Sequence, residues 1–308
     1  MQTKPPTHIL PTRIVVDRIE ALIHRDVGRN VGALFAACRG GLWGAASALT
    51  RDPPPCIGLV TGFFVPGGEI PAAETDGPGG AAMLARAFRG LGFPCRLLTD
   101  PACHGACAVA LAAAGVGEVA VDIAAAGQDL APIIARWRQA GVNWAVAIER
   151  SGRTADGTMR NMRGLDIGAH AEPLDDVFVA GPWGTIAIGD GGNEIGMGAL
   201  PPGLIARHVA HGDRIACVTP ADHLVMAGVS HWGAYALLGA LAVLRPDWRD
   251  VIGQTLNADL DRAIIEAMVR DGPAVDGVTG RRHATIDSLT MDEHHETLAD
   301  IRRTIWNS

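Results

Sequence analysis

The sequence predicts an α/β protein built on a mostly parallel, doubly wound sheet of Rossmann-like type, with additional helices at both ends. Three observations carry that expectation. Between residues 57 and 148, short apolar runs alternate with segments of helical spacing, which is the pattern of βαβ units. Glycine-rich loops sit where several of the apolar runs end, and helical patterns precede and follow the alternating body. Of the 308 residues, 48% are hydrophobic, so a substantial core is available, and the 39 glycines lie between apolar runs without forming a repeat.

Taken in order, residues 14–23 have helical periodicity, with Ile14, Ile19, Leu22 and Ile23 on one side. Residues 31–49 are apolar enough to raise the question of a membrane span, but Arg39, Gly40 and Gly41 in their middle favour two short buried helices. Asp52-Pro-Pro-Pro55 ends them, because proline removes backbone donors and disfavours helix in the residue before it. The body begins near Cys56, with strands expected at 57–60, 95–98, 119–123 and 144–148 and helices at 79–91, 103–114 and 130–139. Residues 151–173 are a long polar connection rich in Gly and Arg, of a kind that is either functional or mobile. Strands are expected again at 177–180, 185–188 and 214–218, and helices at 231–244, within 248–268 and at 291–305. No change of composition marks a linker, so residues 1–308 read as one catalytic domain, with a helical segment 1–55 packed on the body 56–308.

A formal charge of −7 and the absence of a dense Lys/Arg cluster argue against a nucleic-acid surface, whose affinity rests on phosphate neutralisation. A small-molecule partner is expected, with no membrane; association with copies of itself stays open. The first dozen residues hold Pro5, Pro6 and Pro11 and no apolar signal core, so a cytoplasmic location is expected. Six cysteines in a chain this long are no disulfide framework, and Cys103 and Cys107, four apart in an Ala-rich helix, read as buried thiols.

Ligands of open parallel sheets bind beyond the carboxyl ends of the strands, and three unusual loops leave expected strands there. The first, Thr61 to Gly80, carries Gly62, Glu69, Glu74 and Asp76, and its Gly77, Gly79 and Gly80 open a helix whose free amides suit a carboxylate or phosphate. Asp76 also has the plain reading of an N-cap. The loop is neither a P-loop nor a Gly-x-Gly-x-x-Gly turn. The second, Glu149 to Asp166, offers Arg150, Arg153, Arg160 and Arg163 among Glu149, Asp156, Asn161 and Asp166, and arginine forks suit carboxylates. The third is Gly189-Asp-Gly-Gly-Asn-Glu-Ile-Gly-Met-Gly198, with Asp190, Asn193 and Glu194; its plain reading is a strand-to-helix turn capped by Asp190 or Asn193. Acids and guanidiniums around one crevice suit a small zwitterion better than a polyphosphate. Ser230 and His231 stand at the possible rim, His231 as a packing or capping residue, and Asp276 to Arg281 is a further candidate segment.

Thr61-Gly-Phe-Phe-Val through Gly80, Glu149-Arg through Asp166, Gly189 through Gly198, Ala227 to Gly233 and Asp276 to Arg281 together resemble the D-glutamate cyclase family. The resemblance runs from about Cys56 into the C-terminal region and implies conversion of D-glutamate to 5-oxo-D-proline and water, a hydro-lyase reaction. Such chemistry needs a folded substrate, a base for the ammonium and an electrophilic aid at the side-chain carboxylate. The residues suggest Glu194 or Asp190 as the base and Glu149 as acid or orienting group. Arg150 and Arg153 are expected to hold carboxylates and Asn193 the amine or α-carboxylate, while Thr61, Gly62, Glu74, Gly79 and Gly80 surround the substrate. No cofactor is demanded by a motif; a divalent ion, Mn²⁺ or Mg²⁺, on Asp190 and Glu194 is an alternative electrophilic aid. An enzyme of phosphorylated sugars or nucleotides and a non-catalytic sensor of acidic metabolites are the competing expectations.

Overall fold

In the computed structural model, which describes residues 11–307, six strands of one central sheet all run in the same direction. The reading of residues 1–10, with Pro5 and Pro6, lies outside the described residues. Three helices come first, α1 (Thr12–Ile23), α2 (Gly32–Cys38) and α3 (Gly41–Leu49). β1 (Ile57–Thr61) follows the proline stop, and β2 (Phe64–Val65), β3 (Ala72–Glu74) and α4 (Pro78–Gly90) come next. The regular alternation is β4 (Cys95–Thr99), α5 (Pro101–Ala113), β5 (Ala120–Ile123), α6 (Ala131–Gln139) and β6 (Trp144–Ile148). After the long loop come α7 (Asp175–Ala180), β7 (Gly184–Gly189), α8 (Leu204–His208), α9 (Gly212–Ile215), β8 (His223–Met226) and α10 (Ser230–Leu244). The remainder is α11 (Arg249–Thr255), α12 (Ala258–Asp271), β9 (Ala274–Val275), the hairpin of β10 (Thr285–Ile286) and β11 (Leu289–Thr290), and α13 (Met291–Trp306).

The sheet order is β5-β4-β1-β6-β7-β8. The chain therefore winds outward from β1 in one direction and from β6 in the other, the doubly wound arrangement, and its crevice opens where the order reverses, between β1 and β6. Successive side chains on a strand face opposite sides. Ile57, Leu59, Val146, Ile148, Ile186 and Ile188 pack with residues of α1, α3, α4, α5, α10, α12 and α13, while Val60, Ala145, Ala147 and Ala187 pack with residues of α2, α6, α7 and α8. Both faces are covered, as an all-parallel sheet requires.

The centre of the thicker layer is α10, whose residues 230–243 are all buried. A helix apolar on every side has to lie inside, and α10 is enclosed by α1, α3, α4 and α13. The approach of α4 depends on missing side chains: a Cβ on Gly79 would stand 2.7 Å from Ile265 and 2.8 Å from His231, and one on Gly80 2.7 Å from Ile148.

Two sequence expectations fail locally. Residues 177–180 belong to helix α7, not to a strand; an apolar run this short carries no period, and Val177 and Phe178 are buried equally well from a helix. Residues 214–218 are no strand either: α9 ends at Ile215, and Cys217 makes one isolated bridge to Thr154. The sixth strand is β8, just beyond Pro220. On α1, Ile14 is 42% exposed, and Val15 and Val16 take the core positions.

Arg150, directly after β6, is 1% exposed. Its guanidinium is paired with Asp100 at the end of β4 and donates to the carbonyls of Gly62 and Glu172, so one side chain ties two strand ends to the long loop. Replacing it with methionine leaves a buried carboxylate uncompensated. Arg150→Met is expected to lower the unfolding free energy by about 3–5 kcal/mol, read as a lower urea midpoint at unchanged slope; a midpoint equal to wild type would show that Asp100 does not need this partner.

Candidate active site

Each acid of the crevice arrives by a separate route. Glu74 ends β3, the middle strand of a small sheet with β2 and β9. Two residues on is Asp76, and Gly77, at φ +80°, turns the chain into α4; a Cβ there would lie 2.8 Å from the Cβ of Glu149 and 2.9 Å from Thr61 Oγ1. Glu149 leaves β6 with φ of 40°, a conformation rare outside glycine and frequent where function imposes strain. Asp190 leaves β7. Asp287 and Ser288, at φ 52° and 67°, are the two left-handed residues of the tight turn between β10 and β11. Buried Asp276 holds this turn and the loop before it, accepting from the amides of Val278, Thr279 and Ser288 and from the Thr285 hydroxyl.

These routes converge on the first residue of α10. The Ser230 amide donates to Asp76 Oδ2 at 3.0 Å and to Asp190 Oδ2 at 3.1 Å, and its hydroxyl donates to Glu149 Oε2. The free amides and positive end of a long helix favour negative charge at this position. Arg29, between α1 and α2, closes the opposite side: it pairs with Asp287 at 2.7 Å, lies 3.5 Å from Asp190 and donates to the Gly228 carbonyl. The cavity between them measures about 310 Å³, at the small end of ligand sites. Glu74, Glu149, Asp190, Asn193, Asp287 and Arg29 line it, with Phe63, Phe64, Asn161, Met162, Arg163 and Gly277.

Burial dominates the electrostatics. Removal from water, reinforced by Asp287 and Asp76, raises the proton affinity of Glu74 well above the usual carboxylate range. Glu149 is raised by burial and by Asp190 and Glu194. Asp76 is pushed up to about 7, again by burial first and then by Asp287. Asp190 is raised by burial against the opposing pull of Arg29. Burial disfavours the Arg29 charge, yet Asp190 and Asp287 outweigh it and keep the guanidinium ionised. Asp76, Glu149 and Asp190 each present an oxygen within 4.8 Å of the others.

Of the residues anticipated from sequence, Glu74, Glu149, Asp190 and Asn193 meet in this cavity. The others stand behind it. Glu194 is 1% exposed and its carboxylate accepts from the amides of Asp190, Gly191 and Gly192 at 3.1, 2.7 and 2.7 Å. It folds the glycine loop and is not free to act as the base or to share an ion with Asp190. No helix follows this loop, so neither Asp190 nor Asn193 is an N-cap there. Arg150 is consumed by Asp100, and Arg153 pairs with Asp176 at the surface. Thr61 donates to the Ile148 carbonyl, Gly62 accepts from Arg150, and Gly79 and Gly80 are packed beneath α10, so the expected anion cradle is filled by protein. Asp76 accepts from Gly77 and Ser230 and joins two helix starts. His231 is a packing residue paired with Asp261 at 2.8 Å. All six cysteines are free and buried, and burial lifts the Cys107 thiol to about 12.

Arg29 and Asp287 were not anticipated. Arg29 lies in a short interhelical turn with no pattern of its own, and the one hint for Asp287 is a two-residue gap between Thr285-Ile286 and Leu289-Thr290.

Comparison with known proteins gives the chain a family. The chain is 34% identical over 244 residues to the mitochondrial D-glutamate cyclase of Homo sapiens, an alignment covering 74% of this chain and 39% of that protein. The match thus spans well under half of the relative's length. A solved structure of RecJ in complex with Mn²⁺ from Thermus thermophilus covers 98% of this chain and 39% of its own at 12% identity, but at a TM-score of 0.27 it carries no argument. The model of the D-glutamate cyclase-like C-terminal family matches residues 19–302. That match takes in Arg29, the sheet, the acids around Ser230 and the Asp287 turn alike, and the chain belongs to the D-glutamate cyclase-like family.

Proposed function

We propose that this chain is a hydro-lyase that cyclises D-glutamate to 5-oxo-D-proline and water. One observation supports the reading beyond family membership: a small cavity in which carboxyls of raised proton affinity face a single buried guanidinium. Cyclisation forms a bond from the α-nitrogen to the side-chain carboxyl carbon and breaks one C–O bond. The ammonium loses two protons and the departing oxygen gains two, so the net event is transfer of two protons from nitrogen to oxygen across the folded substrate. Carboxyls whose proton affinity is raised above the usual range are suited to such a relay.

Glu74 is the group best placed to relay them. It lines the cavity, its affinity is raised, and its Oε1 has no hydrogen-bond partner. Glu149, fixed by Ser230, faces the reacting carboxylate as acid or orienting group. Arg29 and Arg163 take the α-carboxylate, with Asp190 and Asp287 orienting Arg29, and Asn193 lies near the amine. Phe63 and Phe64 give the cavity an apolar wall against which a folded substrate can pack, and holding that conformer makes ring closure effectively unimolecular.

Purified protein incubated with D-glutamate, with and without Mg²⁺ or Mn²⁺, is expected to yield 5-oxoproline; thermal stabilisation by D-glutamate with no product would instead make the chain a sensor. Glu74→Gln is expected to reduce kcat by about 10²–10⁴-fold while KM changes little; an unchanged kcat removes Glu74 from the relay. The same substitution has a signed effect on stability. A carboxyl whose affinity is raised by folding stabilises the protein fully below the ordinary carboxylate range, and that contribution is lost as pH rises through the raised value. In metal-free protein the stability of Glu74→Gln relative to wild type should therefore increase from pH 5 to pH 8, measured by urea unfolding; a difference independent of pH contradicts the raised affinity.

A further inference from the structure

The buried charges at the cavity and directly behind it do not balance within the protein. Glu74, Asp76, Glu149, Asp190 and Asp287 are each at most 7% exposed, and among the described residues Arg29 is the guanidinium paired with any of them. His231 lies beyond Asp76 and is committed to Asp261. Hydrogen bonds from Gly77 and Ser230 relieve part of the excess. The buried groups left without a partner at the cavity are acceptors. Glu74 Oε1 and Asn193 Oδ1 are buried without a partner, on residues that are 7% and 1% exposed and that line the same cavity. A buried acceptor left without a donor is unfavourable, so two of them on the cavity lining are complementary to a cation and its water ligands. The substrate's own ammonium does not suffice, because it enters with two carboxylates and a net charge of −1.

We propose that Asp76, Glu149 and Asp190 together bind one divalent cation of the Mg²⁺ or Mn²⁺ class, with Glu74 and Asn193 accepting hydrogen bonds from its water ligands. Three converging carboxylate oxygens, none more than 4.8 Å from another, form a hard, oxygen-only donor set. Small hard ions hold such ligands at about 2.0–2.1 Å and keep several waters; Glu149 and Asp190 line the cavity, which offers space for those waters, and Asp76 reaches the same point from behind it. The other convergent group, His231, Asp261 and His294, is closed by its own contacts: Asp261 binds His231 and His295, and His294 shares a hydrogen bond with Tyr235. The ion's chemical role rests on the cyclase reading. It supplies the positive charge that makes the side-chain carboxylate electrophilic, leaving Glu74 to carry protons. The ion does not enter the atom balance, in which the lactam bond forms and water leaves as before.

When Mn²⁺ is titrated into the chelator-treated full chain, the EPR signal of the free ion should stay suppressed up to one equivalent. Glu149→Gln and Asp190→Asn should each weaken that uptake by about 10–100-fold or more, with circular dichroism unchanged. Should those variants fold poorly, anomalous scattering from Mn²⁺-soaked wild-type crystals decides without them: a peak among Asp76, Glu149 and Asp190 supports the site. No uptake, or a peak elsewhere, overturns it. Mn²⁺ bound here without 5-oxoproline formation supports the site and overturns the cyclase reading, whereas full cyclisation by metal-free protein that takes up no Mn²⁺ does the reverse.

Discussion

Everything at the crevice depends on the hydrogen bonds that Ser230 makes at the start of α10. Its amide is shared between Asp76 and Asp190 and its hydroxyl goes to Glu149, so one residue joins carboxylates from the ends of three different segments. Those carboxylates repel one another, and only a fixed donor at a helix start, where backbone dipoles add up, makes their meeting tolerable. The donor is fixed because α10 is buried over almost its whole length and cannot shift to suit its ligands. Close packing at Gly79 and Gly80 brings α4, and with it Asp76, to the right depth. The apolar core and the acidic site are thus one construction.

Strain and charge are concentrated at the same place. Glu149 holds a positive φ that its neighbours impose, since Gly77 leaves it room and Ser230 anchors its carboxyl. Carboxyls driven above their ordinary proton affinity lie within reach of a guanidinium that stays charged. An environment that forces protons onto acids is also one that would accept a cation in their place, so the proposed relay and the proposed ion site both follow from a single excess of buried negative charge.

Residues that resemble ligands in sequence proved to be scaffolding. Arg150 and Glu194 have the charge and the loop position of binding residues, yet Arg150 is saturated by Asp100 and two carbonyls and Glu194 by three amides. Glycine-rich loops at a sheet edge expose many backbone groups, and a buried charge is an effective way to satisfy them. Two cavity-facing groups, by contrast, keep an unmet valence, Glu74 Oε1 and Asn193 Oδ1.

The sequence by itself determined the doubly wound sheet, because apolar runs and helical spacing are local properties that five of the six strands display within their own few residues. It also marked Glu74, Glu149, Asp190 and Asn193, since loops at the carboxyl ends of parallel strands must lie near the switch point between β1 and β6. The short runs at 177–180 and 214–218 misled because too few residues were available to show a period. Only the tertiary structure decided which charges are free. Arg29 faces the cavity because Asp190 and Asp287, both far along the chain, draw it there, and Arg150 does not because Asp100 holds it; no spacing along the chain encodes which carboxylate a guanidinium reaches first.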